Sequence, residues 1–122
     1  MSIILRLPAA GGGLASYTLS DAAQFPDRIT RPLNRVALAA AHVVADPRAD
    51  IDPWLQAAPD WERTIAYREY LWDLGLGVAE AMDTAQRGMG LDWPMALGLI
   101  KRSVAASHGR DGAVVFSGAG TD

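Results

Sequence analysis

Between residues 34 and 116 the chain alternates short apolar runs of strand type with amphipathic runs of helical type, and this alternation restricts the fold more than any single motif. The first run, NRVALAAAHVVAD at 34–46, has alanines that would allow a helix. Its length, its valines and the Asp-Pro that follows favour a strand over about residues 35–44, buried on both faces. Pro47 then blocks continuation, because it lacks a donor and fixes φ. Over 61–74 the residues Trp61, Ile65, Leu71, Trp72 and Leu74 recur at helical spacing, while Glu62, Arg63, Glu69 and Asp73 can face water. Asp60 is the expected N-cap and Gly75 the residue that closes the helix. Residues 75–90, GLGVAEAMDTAQRGMG, read as a buried strand through Val78, Ala79, Ala81 and Met82 that runs into a polar loop. Asp92 caps a second helix with Pro94 in its first turn, and Trp93, Ala96, Leu97, Ile100 and Val104 make its expected stripe. After a turn at 108–112, residues 113–116 form a third strand. Strand, helix, strand, helix, strand implies parallel strands joined by right-handed crossovers. The polar loop at 83–90 then lies at the carboxyl ends of the strands, where α/β proteins bind ligands.

The first 33 residues do not share this pattern. An apolar run at 3–7, a Gly11-Gly12-Gly13 turn and a return at 16–19 predict an arm or hairpin, followed by irregular chain with Pro26 and Pro32. The chain thus divides into an arm and loop at 1–33 and a strand–helix unit at 34–122. With 122 residues in all, it is long enough for one modest domain. Three parallel strands leave two open edges, and the helices of two crossovers cannot cover both faces. The expectation is therefore the N-terminal part of a larger α/β fold.

Composition excludes several functions. A net charge of −3 with arginines and acids interspersed argues against nucleic acid, which needs a basic face. The absence of cysteine removes disulfide and thiolate chemistry and makes a cytoplasmic location the default. No apolar run approaches the roughly 20 residues of a membrane span, and the start lacks the basic segment of a signal peptide. Lys101 is the only lysine against ten arginines, so a Schiff-base mechanism must use Lys101 or a residue outside this chain.

Four groups of residues are candidates for chemistry. Glu80 is a carboxylate set in a strand of Val, Ala and Met, which is costly unless it is paired, with Arg35 as a structural partner, or functional. His42 near the end of the first strand and Asp46 four residues on can be base and orienter, metal ligands, or plain core and turn residues. Thr84 with Asp83 can orient a substrate or close a turn. Gly118-Ala119-Gly120-Thr121 can offer backbone amides to a phosphate, although the full dinucleotide fingerprint is absent. These residues specify neither a metal site nor a cofactor.

The segment after the first strand, the block at 78–93 and the closing Gly118-Ala119-Gly120-Thr121-Asp122 together resemble an uncharacterised dihydrodipicolinate-synthase-like family of bacterial proteins about three times this length, expected to fold as (β/α)8 barrels. The pattern is more distantly similar to the dihydrodipicolinate synthase / N-acetylneuraminate lyase superfamily. There the second strand ends in Gly-Thr-Thr-Gly-Glu and the third in Gly-x-Gly-Thr. Here Thr84 matches the second threonine, which in that superfamily helps to hold a keto-acid carboxylate. Asp83 stands in place of the first threonine, and Met82 and Ala85 replace the glycines. A carboxylate at Asp83 beside a substrate carboxylate calls for a cation such as Arg87. The resemblance implies the first two βα units and third strand of a TIM barrel and a class I aldolase or lyase acting on a keto-acid or related carbonyl compound. Its imine lysine would come from a later strand, so that Thr84 and Asp83 bind substrate while Glu80 and His42 remain weaker catalytic candidates. It also implies a homo-oligomeric parent protein. The rival expectation is a complete small, non-catalytic α/β module that binds a partner or oligomerises through its sheet edges.

Overall fold

The computed structural model describes residues 3–119. Two strands, β1 (Ile4–Pro8) and β2 (Leu14–Thr18), form an antiparallel hairpin in which Ile4 faces Thr18 and Pro8 faces Leu14. Every residue of both strands is exposed. The main unit follows as β3 (Leu38–Ala40), α1 (Trp61–Asp73), β4 (Gly77–Glu80), α2 (Trp93–Ser107) and β5 (Val115–Ser117). Its three strands are parallel in the order β3-β4-β5, with Ala39 beside Val78 and Val78 beside Val115. This is a mixed α/β architecture of two sheets and two helices, and the described residues close no barrel.

Side-chain alternation divides the sheet into two unlike faces. Val78 packs with Leu71 and Trp72 of α1, with Ala39 and Val115 beside it. Along β4, Glu80 points to the same side as Val78, where both helices lie. The other face carries Leu38, Ala40, Ala79 and Phe116. Leu38 is 46% and Phe116 48% exposed while Ala79 on the middle strand is buried, so this face is only partly covered among the described residues.

The helix ends follow the local rules. Asp60 Oδ1 accepts from Arg63 N at 3.0 Å, and Asp92 Oδ1 accepts from Met95 N at 2.9 Å, so each carboxylate satisfies a free amide of the first turn. At the end of α1, Gly75 N donates to Trp72 O and Leu76 N to Leu71 O, the paired bonds of a Schellman closure. Gly75 has φ +75°, a conformation that favours glycine, and the Ile29 side chain packs against its open side.

Two sequence expectations need correction. The strand expected over 35–44 forms a ladder only at Leu38–Ala40, because its neighbour β4 is itself four residues long and ends where Ala81 turns to φ +51°. The stripe expected on α2 is rotated. Ala96, Leu99 and Ser103 are the buried residues, whereas Trp93 and Val104 are exposed.

Candidate functional site

The carboxyl end of β4 is built around a buried ion pair. Glu80 and Arg68 are both fully buried, with Arg68 Nε 2.9 Å from Glu80 Oε2 and Arg68 Nη2 2.9 Å from Oε1. The remaining acceptor capacity is filled by Ala81 N, which donates to Oε1 at 2.9 Å, and by the Ser103 hydroxyl, which donates to Oε2. Arg68 Nη1 donates to His42 O at 2.6 Å and to Thr64 O at 3.0 Å. One bidentate pair thus ties α1, β4, α2 and the exit of β3 together. An ion pair this deep holds only because its other lone pairs and protons are satisfied. Glu80 therefore acts as an internal anchor, with no solvent-facing oxygen for a substrate. Its partner is Arg68 and not Arg35, which lies exposed outside the sheet. The sequence does carry a signal for Arg68. It falls with Trp61, Ile65 and Trp72 on one stripe of α1, so a charge there has to find a buried partner.

Beyond Ala81 the chain enters a 3-10 turn at Asp83–Ala85, and Gln86 follows in the left-handed region at φ +56°. Ala85 is buried and anchors the turn, while Asp83 and Thr84 are exposed. Arg87 donates to Gly118 O at 2.9 Å and lies over the Trp93 ring at 4.9 Å, joining this loop to the end of β5.

The exit of β3 forms the opposite wall. Val44 N donates to Thr64 Oγ1 at 3.0 Å, Asp60 N to Val44 O at 2.8 Å and Asp46 N to Ala58 O at 2.8 Å. These bonds and the Ala45–Pro59 bridge pinch residues 45–59 into an Ω-type loop with close ends. Between this loop and the turn after β4 lies a cleft of about 950 Å³.

The sequence-predicted residues divide across this geometry. His42 and Thr84 both line the cleft. The His42 ring rests against Tyr67 of α1, with centroids 4.7 Å apart. Asp83 stands one residue back on the same turn as Thr84, outside the cleft lining. Asp46 lines the cleft too, but its Oδ1 accepts from Arg48 N at 2.9 Å, the bond of an Asx turn. Glu80 lies below the cleft floor in its ion pair. Among the described residues no three His, Asp or Glu side chains gather as a metal site requires. Of the closing glycine segment, Gly118 accepts from Arg87, whereas Gly120, Thr121 and Asp122 lie outside the described residues. No described helix is long and apolar enough to cross a membrane. Sequence reasoning missed Gln86, on the turn after β4, and Trp54 and Leu55, on the loop at 45–59, as cleft residues, because neither segment has a periodic pattern.

A parallel α/β unit with a ligand-sized cleft at the carboxyl ends of its strands defines the structural class. Within that class the chain belongs to the DUF993 family, described as proteins of unknown function, whose profile matches residues 5–122. No curated protein matches the chain.

Proposed function

We propose that this chain forms the first two βα units and the third strand of a (β/α)8 barrel, and that the whole protein is an aldolase-like lyase similar to the dihydrodipicolinate synthase superfamily. The observation that carries this reading is the asymmetry of the sheet. Both helices lie on one face, and the other presents Leu38, Ala40, Ala79 and Phe116 as the inner wall of a barrel would. The cleft at the strand ends, with Thr84 and His42 on its wall, supports the same placement.

In this reading a lysine amine condenses with the carbonyl of a keto-acid or related substrate, losing water. The protonated imine then takes up the electron pair released as a carbon–carbon bond breaks. Lys101 is exposed on α2, on the helix side of the sheet, so the imine lysine belongs to a strand outside this chain. Thr84 would orient the substrate by hydrogen bonding from the cleft wall. Asp83 would act from the rim, and His42 would hold or move a proton. Glu80 would contribute by fixing the strand end from which the turn departs. The intact protein would be a homo-oligomer in the cytoplasm, with a small carbonyl compound and not nucleic acid or membrane as its partner. The open edges of β3 and β5 and the exposed hairpin favour a second reading, a small module that oligomerises through its sheets.

Two measurements test the proposal. The reading frame beyond Asp122 should encode the remaining βα units that a barrel of about 250 residues requires. Reduction of the whole protein with borohydride in the presence of pyruvate should add the mass of pyruvate less one oxygen to a lysine other than Lys101, because the imine forms with loss of water and gains two hydrogens on reduction. A protein of full barrel length that gains no adduct with pyruvate or other 2-oxo acids would refute the lysine chemistry.

A further inference from the structure

Resting on the reading above, we infer that the substrate is amphipathic: a carbonyl compound whose apolar tail or ring lies against Trp54 and Leu55 while its polar end meets Thr84 and Gln86. Three observations lead there. The cleft volume, about 950 Å³, is near the upper end of what drug-sized ligands occupy and far more than a three-carbon keto acid fills. Its lining is uneven, with apolar side chains prevailing on the loop despite Asp46 and Gln56 there. The loop at 45–59 offers Ile51, Pro53, Trp54 and Leu55 from one side, and the turn after β4 offers Thr84 and Gln86 from the other. Finally, Trp54 is 93% and Leu55 81% exposed, so neither contributes to the core of the chain and both have nearly all their apolar surface to lose to a ligand.

The platform is already shaped. Asp52 Oδ1 accepts from Trp54 N at 2.9 Å, and Asp52 O accepts from Leu55 N and Gln56 N, each at 3.0 Å. The loop neck is held by the bonds at Val44, Asp46 and Asp60. The backbone of a loop with fixed ends and a locally bonded tip loses little freedom when a ligand settles on it, so that the ordering cost falls mainly on the Trp54 side chain. A wall of this kind selects for an extended apolar group, and the polar wall opposite orients the head.

Calorimetric titration of the whole protein with 2-oxooctanoate, octanoate and pyruvate tests this. We expect 2-oxooctanoate to bind at least tenfold more tightly than pyruvate. Trp54→Ala should weaken it about tenfold, and Trp54→Phe should restore most of the loss. Thr84→Val should weaken 2-oxooctanoate clearly more than it weakens octanoate, which shares the carboxylate but lacks the carbonyl. If octanoate binds as well as 2-oxooctanoate, with both dependent on Trp54 and indifferent to Thr84→Val, the apolar subsite stands and the carbonyl reading falls. If pyruvate binds as tightly as 2-oxooctanoate and Trp54→Ala alters neither, the inference is overturned while the carbonyl reading survives. Failure of all three probes to bind overturns the inference. So does a concentration-dependent association of the chain that Trp54→Ala abolishes, which would make this loop a protein interface.

Discussion

At the scale of single residues, Glu80 decides how the strand end behaves. Its carboxylate takes four donors: two from Arg68, one from Ala81 N and one from Ser103. Removing one partner strands a buried charge, whereas removing both need not. Glu80→Leu and Arg68→Met are each expected to cost about 3–5 kcal/mol. The double variant Arg68→Met/Glu80→Leu should cost clearly less than the sum of the two single losses. Urea denaturation of the four proteins checks this as a double-mutant cycle. Equal, additive losses would mean that the two side chains do not act as a pair. Ala81 is the neighbouring test. It is fully buried with φ +51°, a conformation that costs an L-residue about 1–2 kcal/mol. Ala81→Gly should therefore stay within about 1 kcal/mol of the parent, as relieved strain offsets lost packing. Ala81→Val should lose more than about 2 kcal/mol, since a β-branched residue fits neither the backbone nor the space. A melting series separates the two.

At the scale of elements, the helices were legible in the sequence and the interactions between elements were only partly so. Asp60, Gly75, Asp92 and Pro94 mark helix ends by local chemistry, and the structure uses Asp60, Asp92 and Gly75 as caps or closures. Strand order followed from alternation. Strand length did not, because a parallel ladder extends only as far as its neighbour, and β4 stops at Glu80. The face of α2 was right at Ala96 and misjudged at Leu99 and Ser103, which are buried, while large Trp93 stays outside under Arg87 and Val104 is exposed. His42 and Thr84 were legible as candidates by position, but that both line one cleft follows from the loop pinned between α1 and the exit of β3. Thr64 is that pin. Its buried hydroxyl accepts from Val44 N at 3.0 Å. Thr64→Val keeps the volume and leaves the Val44 amide without its acceptor, so it should cost about 1–3 kcal/mol. Amide exchange at Val44 and Asp46 should accelerate by more than the global loss accounts for. Arg63→Ala, which removes only an exposed contact to Asp60, should change stability by less than about 1 kcal/mol.

At the scale of the whole molecule, the question is what lies against the partly covered face of the sheet. Phe116 lies beside Ala79 there and Leu38 beside Gly77, each about half exposed. A half-buried apolar side chain contributes roughly half of its full transfer energy. In the chain alone, Leu38→Ala and Phe116→Ala should therefore each cost about 1 kcal/mol. If this face is the inner wall of a closed barrel, the same substitutions in the whole protein remove core atoms and leave cavities. The cost should then rise to about 2–5 kcal/mol for Leu38 and about 3–5 kcal/mol for Phe116. The two readings of this chain separate on that ratio. A barrel requires the penalty to grow severalfold between the chain and the longer protein. A self-sufficient module predicts the same small penalty in both. It predicts as well that sedimentation velocity will show a dimer joined through the open edges of β3 and β5, and not through this face. Parallel denaturation of Leu38→Ala and Phe116→Ala in both contexts decides the matter through a difference of several kcal/mol, well outside the error of extrapolation.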